Sequence, residues 1–113
     1  MVEILLSTYN GEKYLRQLLD SISSQTFTEW KLLIRDDGSQ DSTRLILQEY
    51  LNKSAGKIEI LPYENVNLGP IGSFELLLCK STLPYAMFCD QDDVWLQDKI
   101  KKTYSFRYLC KSS

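Results

Sequence analysis

Apolar positions along this chain alternate between two rhythms. Val2 to Ser7 (VEILLS) is a short, nearly unbroken apolar run of strand length, and the polar stretch TYNGEKY follows with Asn-Gly as its turn signal. Leu15, Leu18, Leu19 and Ile22 then recur at i, i+3, i+4 and i+7, the apolar stripe of an amphipathic helix. Trp30 to Arg35 (WKLLIR) reads as a second strand, ended abruptly by DDGSQDS, and a helix follows with Leu45, Ile46, Tyr50 and Leu51 facing inward. Lys57 to Tyr63 reads as a third strand stopped by Pro62. After the loop ENVNLGPIGS, Ile71, Phe74, Leu77 and Leu78 repeat at helical spacing. Tyr85 to Cys89 reads as a fourth strand, and Asp98 to Leu109 as a last helix.

Strands and helices alternating at these lengths predict βαβ units, hence an α/β fold with a parallel sheet covered by helices on both faces. Right-handed crossovers bring the C-terminal ends of all strands to one edge, where open α/β sheets bind ligands at a topological switch point. Three polar loops distant in sequence are therefore expected to converge: Ser7 to Asn10, Asp36 to Ser39, and Asp90 to Asp93.

Composition narrows the chemistry. Hydrophobic and charged shares of 43% and 25% are those of an ordinary globular domain rather than a disordered chain. A net charge of −2 gives no reason to expect nucleic acid as a partner. No apolar stretch reaches the roughly 18 to 20 residues that span a bilayer, so no transmembrane segment is expected and the chain reads as cytoplasmic. Cys79, Cys89 and Cys110 are odd in number and lack C-x-x-C spacing, and are expected as buried small hydrophobes. Histidine is absent, which removes Ser-His and Cys-His nucleophile pairs and histidine metal ligands. Any chemistry must run on carboxylates, hydroxyls, amides, lysine and arginine.

The acidic segment CDQDDVWLQDK places four aspartates within nine residues. In extended backbone residues i and i+2 share a side, so Asp90 and Asp92 can point together. Two hard oxygen ligands suit Mg²⁺ or Mn²⁺, which completes its shell with water and phosphate oxygens. In RDDGS, Gly38 permits a positive φ and Ser39 or Asp41 caps the next helix. One cap needs one acceptor, so a carboxylate is left for a ribose hydroxyl or a base N–H, Asp37 ahead of Asp36. At the STYNG turn, Ser7 offers a hydroxyl to a base edge and Tyr9 a face for stacking, while Asn10 is a candidate cap for the first helix. Gly69 and Gly72 do not make a G-x-G-x-x-G fingerprint; Gly69 reads as a turn residue and Asn67 as a ligand contact.

Together these stretches resemble the nucleotide-sugar-binding half of an inverting family 2 glycosyltransferase, a fold called GT-A. The motifs STYNGEKYL, SISSQTF with EWKLLIRDDGSQDST, ENVNLGPIGSFE and MFCDQDDVWLQDK carry the resemblance in order across Val2 to Lys102. The resemblance implies a truncated parallel-sheet, Rossmann-like GT-A fold, with residues 1–113 as one domain and the acceptor-binding half absent. It implies that Ser7, Tyr9 and Asp37 hold the nucleoside, and that Asp90 and Asp92 are a D-x-D pair at the diphosphate. Asp92 is then the chief contact to Mg²⁺ or Mn²⁺. Implied partners are a nucleotide-diphosphate sugar donor and a glycan or lipid-linked acceptor, in capsule or other surface polysaccharide synthesis at the inner face of the membrane. CDQDDVW is similar to rhamnosyltransferase-like members, which implies a dTDP-rhamnose donor. The catalytic base is expected in the missing half, so this chain alone is expected to bind nucleotide diphosphate with metal and to transfer little sugar. Gln97 stands where proline is common in such proteins, and Ser73 where asparagine is frequent.

Other readings fit less well. A sugar nucleotidyltransferase needs a Gly-rich basic loop after its first strand, and STYNGEK is a poor one. A phospho-receiver needs an aspartate ending its third strand, and ILPYENVN has none. A non-catalytic nucleotide-binding or self-associating module stays open, because a half-sized fold leaves apolar surface that favours a homo-oligomer.

Overall fold

The computed structural model describes residues 1–90 and residue 100, with the side chain of Asp90 excepted. Its elements are β1 (Val2–Thr8), α1 (Leu15–Ser23), β2 (Trp30–Asp36), α2 (Thr43–Lys53), β3 (Ile58–Ile60), α3 (Gly69–Lys80) and β4 (Ala86–Asp90). Apart from Ile100, the expected last helix lies outside the described residues. β1 is buried along nearly its whole length, and β2 apart from Lys31. Burial on both faces explains why these runs are continuously apolar rather than alternating.

All pairings are parallel, in the order β3-β2-β1-β4. The chain winds outward from β1 through β2 to β3, then returns to lay β4 on the other side of β1. Helices α1 and α2 cover one face, over Ile4, Leu6, Leu32 and Ile34. Leu77 of α3 packs on the opposite face, over Leu5 and Leu33. Crossovers of a single hand require that change of face when the winding direction reverses. The switch point therefore falls between the C-terminal ends of β1 and β4. At the other end of the sheet, buried Glu3 closes the α3–β4 connection. Its Oε1 accepts from Ser81 Oγ (2.7 Å) and from the N–H groups of Thr82 (3.0 Å) and Leu83 (3.2 Å).

Four expectations are corrected. Leu45 is 74% exposed, and Leu47 takes the inward position beside Ile46. The hydrogen bonds that hold Thr43 at the start of α2 set the phase, so positions i+3 and i+4 from it turn inward. On α3, Ile71 and Leu78 face outward, and only Leu77 of the predicted stripe is fully buried. The flank of α3 toward β4 continues this apolar surface onto exposed Phe88, whose ring meets Phe74 edge-on at 5.1 Å. β3 is shorter than predicted; the Leu61 N–H still bonds the Ile34 carbonyl at 2.9 Å, but Pro62 has no N–H to continue the ladder. Cys89 is buried as expected, whereas Cys79 is exposed; Cys110 lies outside the described residues.

The α2 phase makes a direct prediction. Leu47→Ala should lower stability in urea unfolding by about 2–5 kcal/mol, and Leu45→Ala by less than about 0.5 kcal/mol. Equal losses would show that the helix presents a different face.

Candidate functional site

Strand register assembles the site. Ser7 lies between Arg35 of β2 and Asp90 of β4, and Thr8 lies beside Asp36. The β1 and β2 loops are then tied together. The Asp37 N–H bonds the Thr8 carbonyl, the Asn10 N–H bonds Ser39 Oγ, and the Gln40 N–H bonds Asn10 Oδ1, each at 2.8 Å. Asn10 adopts a left-handed φ of 47° and braces the neighbouring loop instead of capping α1. The backbone of Asp90 ends β4 beside Ser7, so the predicted convergence is seen for the first two loops and for the start of the third. Gln91, Asp92 and Asp93 lie outside the described residues.

Asp36 and Asp37 do not leave an unengaged carboxylate, contrary to the sequence argument. Asp36 serves the α1/α2 face: its Oδ1 accepts from Thr8 Oγ1 (2.8 Å) and Ser39 Oγ (2.6 Å), and its Oδ2 from the Ser39 N–H (2.9 Å) and Arg44 Nε (2.8 Å). Burial pushes the Asp36 carboxyl up, but the hydrogen bonds from Ser39, Arg44 and Thr8 outweigh it and hold it below the usual carboxylate range. Asp37 serves the α3 face: its Oδ1 accepts from Arg35 Nη1 (2.5 Å) and the Leu68 N–H (2.7 Å), and its Oδ2 from the Gly69 N–H (3.0 Å). Gly38, at φ 88°, turns the chain between them and the next helix. The N-cap of α2 is Ser42, without a side-chain cap bond, rather than Ser39 or Asp41; Asp41 just outside it accepts the Thr43 N–H and hydroxyl, while Ser39 braces Asp36.

Sequence reasoning passed over the residues that organise this edge: Thr8, Arg35 and Arg44. Arg35 is 3% exposed; besides Asp37 it donates to Ser73 Oγ (3.1 Å) and to the Val66 carbonyl (3.2 Å). Ser73, noted only as a departure from a family pattern, also accepts from Ser7 Oγ at 2.6 Å. Arg44 donates to the Glu64 carbonyl and lies over the Tyr63 ring, 4.6 Å from its centroid. Two arginines thus hold the loop 64–68. Asn67 acts locally, accepting from the N–H of Gly69, itself at φ 77°. The available signal was spacing, since residues two apart in a strand share a side and Arg35 precedes Asp37 by two.

Of the predicted nucleotide contacts, Ser7 is half-buried, Tyr9 is 46% exposed, and Asp37 is buried. Among the described residues no three acidic or cysteine side chains gather as a metal cluster. Asp90 reaches the edge as one half of the proposed metal pair, whose other half, Asp92, lies beyond the described region.

The sequence pattern of Glycosyl transferase family 2 matches residues 3–106. This chain belongs to that family. It is 37% identical over 99 residues to the dTDP-rhamnosyl transferase RfbG of Shigella flexneri, covering 85% of this chain and 34% of the relative. It is 30% identical over 105 residues to the UDP-Glc:alpha-D-GlcNAc-diphosphoundecaprenol beta-1,3-glucosyltransferase WfgD of Escherichia coli, covering 93% and 40%. The crystal structure of S. aureus TarS residues 1–349 with UDP-GlcNAc superposes with a TM-score of 0.82 at 29% identity, covering 93% of this chain and 30% of that 1–349 chain. The fold is therefore the GT-A type, and the chain spans about a third to two fifths of the length of these relatives.

The Asp36 cluster predicts both a mutant effect and its pH dependence. Asp36→Asn should cost about 3 kcal/mol at pH 7, because Arg44 loses its buried partner. A depressed folded pKa means that the stabilisation is complete above the unfolded carboxylate value of about 3.9 and is lost as pH falls through the folded value. Thermal melts of the two proteins should therefore begin to converge as pH falls below about 4 and meet only below the lowered folded value. A gap that persists in acid would show that the loss is not electrostatic.

Proposed function

We propose that this chain is the donor-binding part of an enzyme that moves a sugar from a nucleotide-diphosphate sugar to a glycan or lipid-linked acceptor in bacterial surface polysaccharide synthesis, working in the cytoplasm. One observation carries the reading: Ser7 stands between Arg35 and Asp90 in register at the switch point, the place where open α/β sheets receive ligands. Ser7 and Asp37 hold the nucleoside with oxygen acceptors and Tyr9 lends its exposed ring, while Asp90 contacts the nucleotide toward its diphosphate. Asp90 and Asp92 form the D-x-D pair, with Asp92 the chief contact to Mg²⁺ or Mn²⁺. Bound there, the metal would offset charge on the departing diphosphate. The acceptor site and the base that deprotonates the acceptor hydroxyl belong to polypeptide beyond the matched third. The similarity to RfbG supports dTDP-rhamnose as the first donor to test.

A second property follows from the apolar groove lined by Ile71, Phe74, Leu78 and Phe88, about 340 Å³ in volume. An apolar surface of this kind favours burial against protein, so the isolated chain should self-associate through it. Light scattering after size exclusion should give a dimer or larger at high concentration; a monomer throughout would remove this reading and leave the first intact.

Calorimetry with UDP, dTDP and GDP tests the donor site. We expect one of them to bind with a Kd of about 0.1–1 mM in the presence of Mn²⁺, weakening when the metal is removed. Asp92→Ala should abolish the metal dependence. Absence of metal-dependent binding for all three would refute the donor site, and efficient sugar transfer by this chain alone would refute the assignment of the base to a missing segment.

A further inference from the structure

We propose that Arg35 is a positioning residue of the nucleoside pocket: one buried guanidinium orients both Ser7 and Asp37. The inference rests on the donor-site reading above, in which those two side chains touch the nucleoside. A buried cation is costly unless its donors are satisfied, and Arg35 meets three acceptors: Asp37, Ser73 and the Val66 carbonyl. Because the guanidinium is a rigid planar fork, these acceptors are fixed relative to one another.

The consequences differ at the two contacts. At Asp37, Arg35 and the Leu68 N–H occupy Oδ1 and prevent rotation of the carboxylate. Oδ2 receives the Gly69 N–H and keeps a further lone-pair direction for a ligand. At Ser7 the effect is relayed. Ser73 Oγ takes an N–H from Arg35 and the O–H of Ser7, so the Ser7 hydrogen is directed inward and its lone pairs are presented to the site. Both nucleoside contacts are thereby set as acceptors, matched to ligand N–H or O–H donors. The same guanidinium holds loop 64–68 through Val66. Lysine keeps the charge but, as a point donor on a flexible stem, cannot hold all three acceptors at once.

The test measures, in the 113-residue chain, binding of whichever of UDP, dTDP and GDP the unmodified chain prefers, alongside inorganic pyrophosphate with Mg²⁺. Arg35→Lys should weaken nucleotide binding about tenfold, the loss of roughly one charge-assisted hydrogen bond. Pyrophosphate binding, which depends on the Asp90 and Asp92 side of the site, should change by less than about twofold. Ser73→Ala removes the relay and one Arg35 acceptor while leaving the bonds of Arg35 to Asp37 and Val66, and should weaken the nucleotide about threefold while the protein stays folded by circular dichroism; it carries the test if Arg35→Lys does not fold. Equal loss of nucleotide and pyrophosphate affinity would mark general damage and overturn the positioning role. Variants that match the unmodified chain would overturn it as well, leaving the donor site standing. If the unmodified chain binds none of the three nucleotides, the donor-site reading fails and this inference falls with it.

Discussion

Successive side chains of a β-strand leave on opposite faces, and at the end of β2 that alternation divides two adjacent carboxylates between two halves of the molecule. Asp36 gathers Thr8, Ser39 and Arg44 on the side of α1 and α2. Asp37 gathers Arg35 and the amides that open α3 on the other side. Neither carboxylate could do the work of its neighbour. The loop after β1, the loop after β2 and the loop before α3 all take their positions from this one pair, so the ligand edge is built around two charges that face away from each other.

Such an arrangement is stable because each charge is matched where it is buried. Asp36 receives four donors and Asp37 three, of which one in each set is an arginine. Removing a partner would strand a charge in a poorly solvated place, which is far more costly than the net gain from any one hydrogen bond. In the proposed donor site these acceptors would be aimed before a ligand arrives, leaving little ordering to oppose binding.

Much of this was legible from sequence. The α1 stripe is unambiguous because polar residues separate Leu15, the Leu18–Leu19 pair and Ile22, and all four are buried. The phase of α2 was not, since Leu45, Ile46 and Leu47 are all apolar and the choice depends on Thr43 meeting Gly11, 32 residues away. On α3, periodicity predicted burial for Ile71 and Leu78, but spacing states what an element can bury and not what covers it. At the site, strand ends foretold which loops converge. What the carboxylates bind once there depends on Arg35, signalled only by its i, i+2 spacing to Asp37, and on Ser73 and the loop 64–68, tertiary contacts that no local pattern encodes.

The position of β1 also governs the order in which the molecule can be made. Its first residues pair with β2 from Trp30 onward, but the other side waits for β4, which begins at Ala86. The lock from Glu3 to Ser81, Thr82 and Leu83 joins residues about 80 positions apart. At roughly 5–20 residues per second, a nascent chain holds this most apolar strand half-paired for about 2–10 seconds while the segment between β2 and β4 is made. Through that interval the inner strand of the finished sheet is an exposed edge, open to pairing with another chain. The segment most protected in the native protein is thus the one most vulnerable during synthesis, and crowding of ribosomes on one message is the circumstance that exposes it most.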